Sequence, residues 1–369
     1  MKILFIAPRF HTNQLQIAKT LINDGHKLSF FVYTFGNIED HSFLKPEILP
    51  ESIFSKILKK FAKKRKNAQS YFPKLITLFK RLSKLKPDII IIRRHGRVYT
   101  YAAAFFGRIL SSKIVFYDQV NSEFLVRKEF DSFQLKLRRI KLMSLLRLFN
   151  AKWITPLHDV SSDFKLPKRC FYIPFVAELQ KDYKIEIRNN ISLLTISKFQ
   201  ERKELLLLIE CLSKLKNNNF TLTIIGEVSS KEHQDYLERV STVIKKSNLA
   251  NQVEILLNIP HQNIKKHYRK SDLFILPAKN EPASISIIES LGFGLPVICS
   301  DSCGTKTYIR NGKNGSIFTS GDSNDLHLKI KTYFEDSSLL IKQKKWIKKN
   351  ITKLISSENY MTHFKKIIE

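Results

Sequence analysis

The segment Leu276-Pro277-Ala278-Lys279-Asn280-Glu281-Pro282-Ala283-Ser284-Ile285-Ser286-Ile287-Ile288-Glu289 sets two carboxylates eight positions apart, one beside a proline and one inside an apolar run. The pattern predicts a strand ending at Leu276, a loop carrying Glu281 and a helix starting near Ser284. The first amides of such a helix, those of Ala283, Ser284 and Ile285, can hold a phosphate. Glu289, about one and a half turns further on, can accept hydrogen bonds from a ribose diol, and Glu281 can reach a sugar hydroxyl. Either carboxylate taken alone also fits a plainer role, complementing the helix dipole.

Those residues need a scaffold, and the chain supplies two runs of alternating elements. Strands are expected at Lys2–Ala7, Lys27–Tyr33, Asp88–Ile92, Lys113–Tyr117, Trp153–Thr155 and Phe171–Pro174, with amphipathic helices between them. The fully apolar Ile89-Ile90-Ile91-Ile92 suits a parallel strand covered on both faces. A polar stretch, Glu178–Asn190, interrupts the pattern. It restarts with Ser192–Ser197, Phe220–Ile225, Val253–Leu257, Leu273–Leu276, Val297–Cys299 and Ile317–Phe318. The expectation is an α/β protein of two Rossmann-like, doubly wound domains, residues 1–180 and 181–336. Residues 337–369 read as C-terminal helices packing back on the first domain. Ligands of such sheets bind at the C-terminal ends of the strands, and two facing domains leave a cleft there.

Composition narrows the partners. The 369 residues hold 63 Lys and Arg against 33 Asp and Glu, a net charge of +30. Between Glu51 and Asp88 there are twelve basic residues and no acidic one. Positions 54, 57, 58 and 61, and again 75, 78, 79 and 82, are apolar at helical spacing, so two basic amphipathic helices are expected. They fit either solvated faces of their own domain or docking on an anionic bilayer. Without zinc-finger spacing or an aromatic RNA-binding strand, nucleic acid is the weakest partner. No run approaches the roughly 18 apolar residues that span a membrane. The cysteines Cys170, Cys211, Cys299 and Cys303 include no C-x-x-C pair, which fits a reducing cytoplasm and buried thiols. The first strand is followed by Pro8-Arg9-Phe10-His11-Thr12-Asn13-Gln14, without the glycines of a dinucleotide fingerprint, so a hydride-transfer enzyme loses its main support.

The Glu281/Glu289 pair, the Gly294-Leu295-Pro296-Val297 turn, Gly304 and the Asn311-Gly312-Lys313-Asn314-Gly315 turn together resemble the E-x7-E region of glycosyltransferase family 4, retaining enzymes of the GT-B fold. Ile196-Ser197-Lys198-Phe199-Gln200-Glu201-Arg202-Lys203 resembles the family's diphosphate-binding segment. Lys198 stands at the family's Arg position and Lys203 at its Lys position, with Arg202 as a substitute. Ile224-Ile225-Gly226-Glu227 resembles the next strand-and-glycine turn. Asn258-Ile259-Pro260 lies where members contact the nucleobase. Asp24-Gly25-His26-Lys27-Leu28 resembles the entry to the second strand.

In the first domain the match is looser. His11-Thr12-Asn13-Gln14 replaces the family's Gly-Gly loop, and by spacing Arg93 takes the place of a family His, with His95 two residues late. Asp118, ending a strand, is a further candidate, whereas His158, His261 and His267 read as structural or surface residues.

The resemblance implies a retaining transfer from a nucleotide-sugar donor to a lipid-linked or cell-surface glycan precursor of capsule, O-antigen or lipopolysaccharide type. The donor's ribose would lie on Glu289, its diphosphate on Lys198, Arg202, Lys203 and the amides of Ala283–Ile285, and its base near Ile259 and Gly226. Glu281 would orient the sugar. The acceptor would lie by His11, Asn13 and Asp118, with His95 or Arg93 assisting. Neither metal nor cofactor is expected, because no D-x-D motif is present and fixed cations can carry the leaving group. The expected location is cytoplasmic, peripheral on the inner face of the cell membrane. The alternative is a catalytically diverged GT-B-like binding or partner subunit, supported by the loss of the Gly-Gly loop.

Overall fold

The run Ile89–Ile92 is completely buried and forms the middle of a parallel sheet, since a strand covered on both faces has no polar side to show to water. The computed structural model describes residues 1–35, 42–61, 72–93, 97–126, 132–159, 165–180, 190–215 and 219–369. Within these the chain divides into two units, Met1–Phe175 with Tyr360–Glu369, and Val176–Asn359.

The first unit carries a seven-stranded sheet of β1 (Lys2–Ile6), β2 (Lys27–Val32), β3 (Glu47–Ile48), β4 (Ile89–Arg93), β5 (Lys113–Tyr117), β6 (Lys152–Thr155) and β7 (Cys170–Tyr172). Their order is β3-β2-β1-β4-β5-β6-β7 and every pairing is parallel. The register sets Leu4 beside Ile90 and Ile90 beside Ile114, so one apolar layer crosses the sheet. Two-residue β3 has no signature in the sequence. The first helix, Thr12–Asn23, begins directly after His11.

The second unit carries a six-stranded sheet of β8 (Ile191–Lys198), β9 (Phe220–Glu227), β10 (Val253–Leu257), β11 (Leu273–Leu276), β12 (Val297–Ser300) and β13 (Gly315–Phe318). The order is β10-β9-β8-β11-β12-β13, again parallel throughout. Chain order reverses between β8 and β11, the switch point where open sheets of this kind take ligands. Gly226 sits on β9 because an added Cβ would lie 2.1 Å from the Phe199 ring.

The C-terminal helical segment is shared between the units. Helix Ser338–Trp346 stays with the second, because its Lys344 is buried against Asp272, Nζ to Oδ1 at 2.8 Å. The other oxygen of Asp272 accepts the amide of Ser192 at the start of β8. Helix Ser357–Ile368 brings Tyr360, Phe364 and Ile367 into the core of the first unit, where Lys365 pairs with Asp24 at 3.5 Å. All four cysteines are buried and free. Among the described residues no helix is long and apolar enough to cross a membrane.

Candidate functional site

In the second unit three of the predicted site residues, Arg202, Lys203 and Glu281, come together at the ends of β8 and β11. Beyond β8, Glu201–Lys203 forms a single tight 3-10 turn, and the Arg202 carbonyl accepts the amide of Lys279 from the loop after β11 at 2.7 Å. That backbone bond joins the two loops. Asn280 takes up a left-handed φ of 51° and its amide donates to Ser302 Oγ at 3.0 Å, which turns the chain into Glu281. The Glu281 carbonyl then accepts the amide of Gly304 at 2.8 Å.

The side chain of Glu281 is fixed from two sides. Its Oε2 accepts from the Lys203 ammonium and, at 2.5 Å, from Arg202 NH1. Glu281 and Lys203 are each only 7% exposed, so the pair is made away from water. Burial alone would raise the Glu281 pKa, but the Lys203 charge and then that of Arg202 outweigh it and hold the carboxyl below its ordinary value. Lys203 is itself lowered, first by burial, against the opposing pull of Glu281. Lys198 lies apart from this trio. It pairs at 2.7 Å with Glu227, its register partner on β9.

The helix Ile285–Gly292 starts at the predicted point, with Ser284 at its N-cap. The amide of Ser284 faces Thr305 Oγ1 at 3.4 Å, and the hydroxyls of Ser284 and Ser286 lie 2.8 Å apart, both buried. Ala283 and Ile285 flank them, half-buried. Glu289 projects from the next turn. Its Oε1 is 2.6 Å from His261 Nε2 and its Oε2 accepts from the Tyr268 hydroxyl at 2.9 Å. Neither partner follows from local sequence pattern, since they reach Glu289 across 28 and 21 residues. His261 opens the helix His261–Lys270, directly after Ile259 and Pro260, so it links the segment expected at the nucleobase to the carboxylate expected at the ribose.

In the first unit the C-terminal edge of the sheet collects a second group. Gln119 Oε1 accepts from Asn13 Nδ2 at 2.9 Å and from Arg93 NH2 at 2.8 Å, while Gln119 Nε2 donates to the Tyr117 hydroxyl at 3.1 Å. Gln119 thus gathers two predicted residues, although no motif or spacing marks it. His11 lies beside Arg9, Nδ1 to NH2 at 3.3 Å, and its amide donates to Gln14 Oε1 at 2.9 Å. Asp118 is buried and accepts from Trp153 Nε1 at 2.7 Å, a bond within the core. His95 lies outside the described residues. Among the described residues no three His, Cys, Asp or Glu side chains converge as metal ligands would.

Residues 177–353 match the family model of glycosyl transferases group 1. The amylovoran biosynthesis glycosyltransferase AmsK of Erwinia amylovora is 26% identical over 144 residues, covering 37% of this chain and 34% of that protein. The lipopolysaccharide core biosynthesis mannosyltransferase LpcC of Rhizobium leguminosarum bv. viciae is 25% identical over 126 residues, covering 34% and 35%. The chain therefore spans about a third of the length of these curated relatives. Among solved structures, Anabaena Alr3699/HepE in complex with UDP superposes with a TM-score of 0.70 at 17% identity, over 99% of both chains. A glycosyltransferase from Rickettsia africae gives 0.69 at 18%, over 100% of this chain and 97% of that one. The chain thus has the GT-B fold, and the residues expected at the donor site fall inside the segment that matches the family model.

Proposed function

We propose, from the match of residues 177–353 to group 1 glycosyl transferases, that the chain is a retaining glycosyltransferase. It moves a sugar from a nucleotide-sugar donor to a lipid-linked or cell-surface glycan precursor. The observation that carries this reading is the Lys203–Glu281–Arg202 trio, a predicted donor cluster assembled from two loops of the matching segment. AmsK and LpcC are named for amylovoran and lipopolysaccharide core biosynthesis, and HepE is bound to UDP and, in a further structure, to UDP-glucose. These names support a nucleotide-sugar donor and an envelope glycan as product class.

The donor's ribose lies on Glu289 and its diphosphate at the start of helix Ile285–Gly292, within reach of Arg202 and Lys203. As the glycosidic bond to the diphosphate breaks, charge builds on the departing phosphate oxygen. Preoriented amides and cations stabilise that charge without reorganising, which is the largest lever available to a transfer without a metal. Glu281 holds Lys203 and Arg202 at a fixed depth and orients the sugar. The acceptor hydroxyl enters at the first-unit edge marked by His11, Asn13 and Arg93.

The acceptor's lipid is met by an apolar and basic face of the first unit. Helices Ile53–Phe61 and Leu75–Leu85 are tied at their starts by the Glu51–Pro73 bridge and by the Phe54–Phe72 ring contact at 5.0 Å. Ile53, Phe54, Ile57, Leu75, Ile76 and Phe79 stay exposed there, while only Leu78 and Leu82 of the second helix turn inward. Lys56, Lys80 and Lys84 on the same two helices, with Lys74 at the cap of the second, complement an anionic bilayer, at about 1 kcal/mol per cation near the surface. The reading places the enzyme peripherally on the inner face of the cell membrane.

The test is a thermal-shift panel of UDP- and GDP-sugars followed by a transfer assay. Binding of one nucleotide class and loss of transfer in Glu281→Ala and Lys203→Ala are expected. Full transfer by either variant overturns the site, and loss of activity with chelator overturns the metal-free mechanism.

A further inference from the structure

The carboxylate of Glu289 is already half occupied by the protein. An ionised carboxylate offers about four lone-pair positions, two on each oxygen. His261 takes one on Oε1 and Tyr268 one on Oε2. What remains is one position on each oxygen, and a vicinal cis-diol has two hydroxyls to fill them.

Both donors are held firmly. Tyr268 is 2% exposed, stacked on Phe293 with ring centres 5.3 Å apart and tilted against Phe274 at 6.2 Å. Its hydroxyl keeps its proton, because burial and then the Glu289 charge raise its pKa well above the ordinary tyrosine value. His261 follows Pro260, whose ring fixes φ at the entry to the helix. A nitrogen 2.6 Å from a carboxylate oxygen must carry the proton, so Nε2 is the donor.

We propose that His261 and Tyr268 are positioning residues that turn Glu289 into a two-point reader of the nucleotide's 2′,3′-diol, making the site selective for ribonucleotides. This rests on the reading of Glu289 as the ribose contact. With either donor removed the carboxylate is free to rotate, and it presents only one well-placed oxygen to the diol. Affinity then falls towards that of a deoxynucleotide.

The test is calorimetric binding of UDP, GDP and their 2′-deoxy analogues to the full chain. The wild type is expected to prefer the better-bound ribonucleotide over its 2′-deoxy form by about 10- to 100-fold, the range for one hydrogen bond to a charged group. Tyr268→Phe keeps the ring and the packing, and His261→Ala keeps the helix. Each is expected to cut the preference to within about threefold, by weakening the ribonucleotide far more than the deoxynucleotide. His261→Gln, whose amide can donate, is expected to recover part of it. An unchanged preference in Tyr268→Phe and His261→Ala overturns the proposal. Glu289→Ala separates the two levels: undiminished nucleotide binding in that variant overturns the ribose reading itself. Lost binding there, with normal preference in the other two, leaves that reading intact and removes only the role of His261 and Tyr268.

Discussion

Lys203 and Glu281 stand 78 residues apart in the chain and meet as a buried ion pair, with Arg202 on the same carboxylate oxygen. Removing one member leaves charge in a site with little water, which costs more than the pair contributes. Lys203→Met is expected to destabilise the protein by about 3 kcal/mol, at the low end for a broken buried pair because Arg202 stays on Glu281. The double variant Lys203→Met, Glu281→Gln is expected to regain most of that loss in urea melts while staying inactive. A double variant no more stable than the single one contradicts this account.

Acid should expose the same pair. The folded-state pKa of Glu281 is held below the ordinary 4.5. The unfolded chain therefore takes up the proton first, and the stabilisation present above that value is lost as pH falls through the folded pKa. Tm measured from pH 6 downward is expected to drop more steeply for the wild type than for Glu281→Gln in that acidic window. Parallel curves would remove Glu281 as the cause.

Gly226 tests the packing of β9 against Phe199. An alanine there pushes into the Phe199 ring, and overpacking of this kind costs about 1–3 kcal/mol. Gly226→Ala is expected to lose that much stability, and Phe199→Leu in the same background to restore part of it. Chemical denaturation of the three variants decides.

The exposed face of the first unit can be tested without touching either site. Phe54→Asp with Ile76→Asp replaces two exposed apolar side chains by acids. Flotation with vesicles containing anionic lipid is expected to fall sharply, and binding to soluble nucleotide to stay unchanged. Equal flotation of variant and wild type would remove this face as the membrane contact.

Much of this was legible in the sequence. Ile89–Ile92, Leu273–Leu276 and the helix from Ser284 follow from local apolar pattern, and the structure places each within a residue or two of expectation. The Glu281 loop was legible because a strand, a proline and a helix start occur in immediate succession. What stayed hidden depends on pairing across the fold. Gln119 carries no pattern, yet it joins Asn13 on one element to Arg93 on another. His261 reads as a surface or structural histidine, and its contact with Glu289 across 28 residues has no local pattern to reveal it. Lys198 matched a family cation by position, but strand register sets it opposite Glu227 and gives it an anion of its own. The two-residue β3 is too short for any periodicity to show.

The first unit is closed by residues 360–369. Tyr360, Phe364 and Ile367 fill its core, and the backbone carbonyls of Ile367 and Ile368 accept from Lys152 and Lys113. During synthesis residues 1–175 therefore leave the ribosome with a hole in their apolar interior, and it stays open until the whole second unit has been made. Removing residues 360–369 would therefore injure the first unit, which is otherwise built from the residues furthest from them in the sequence.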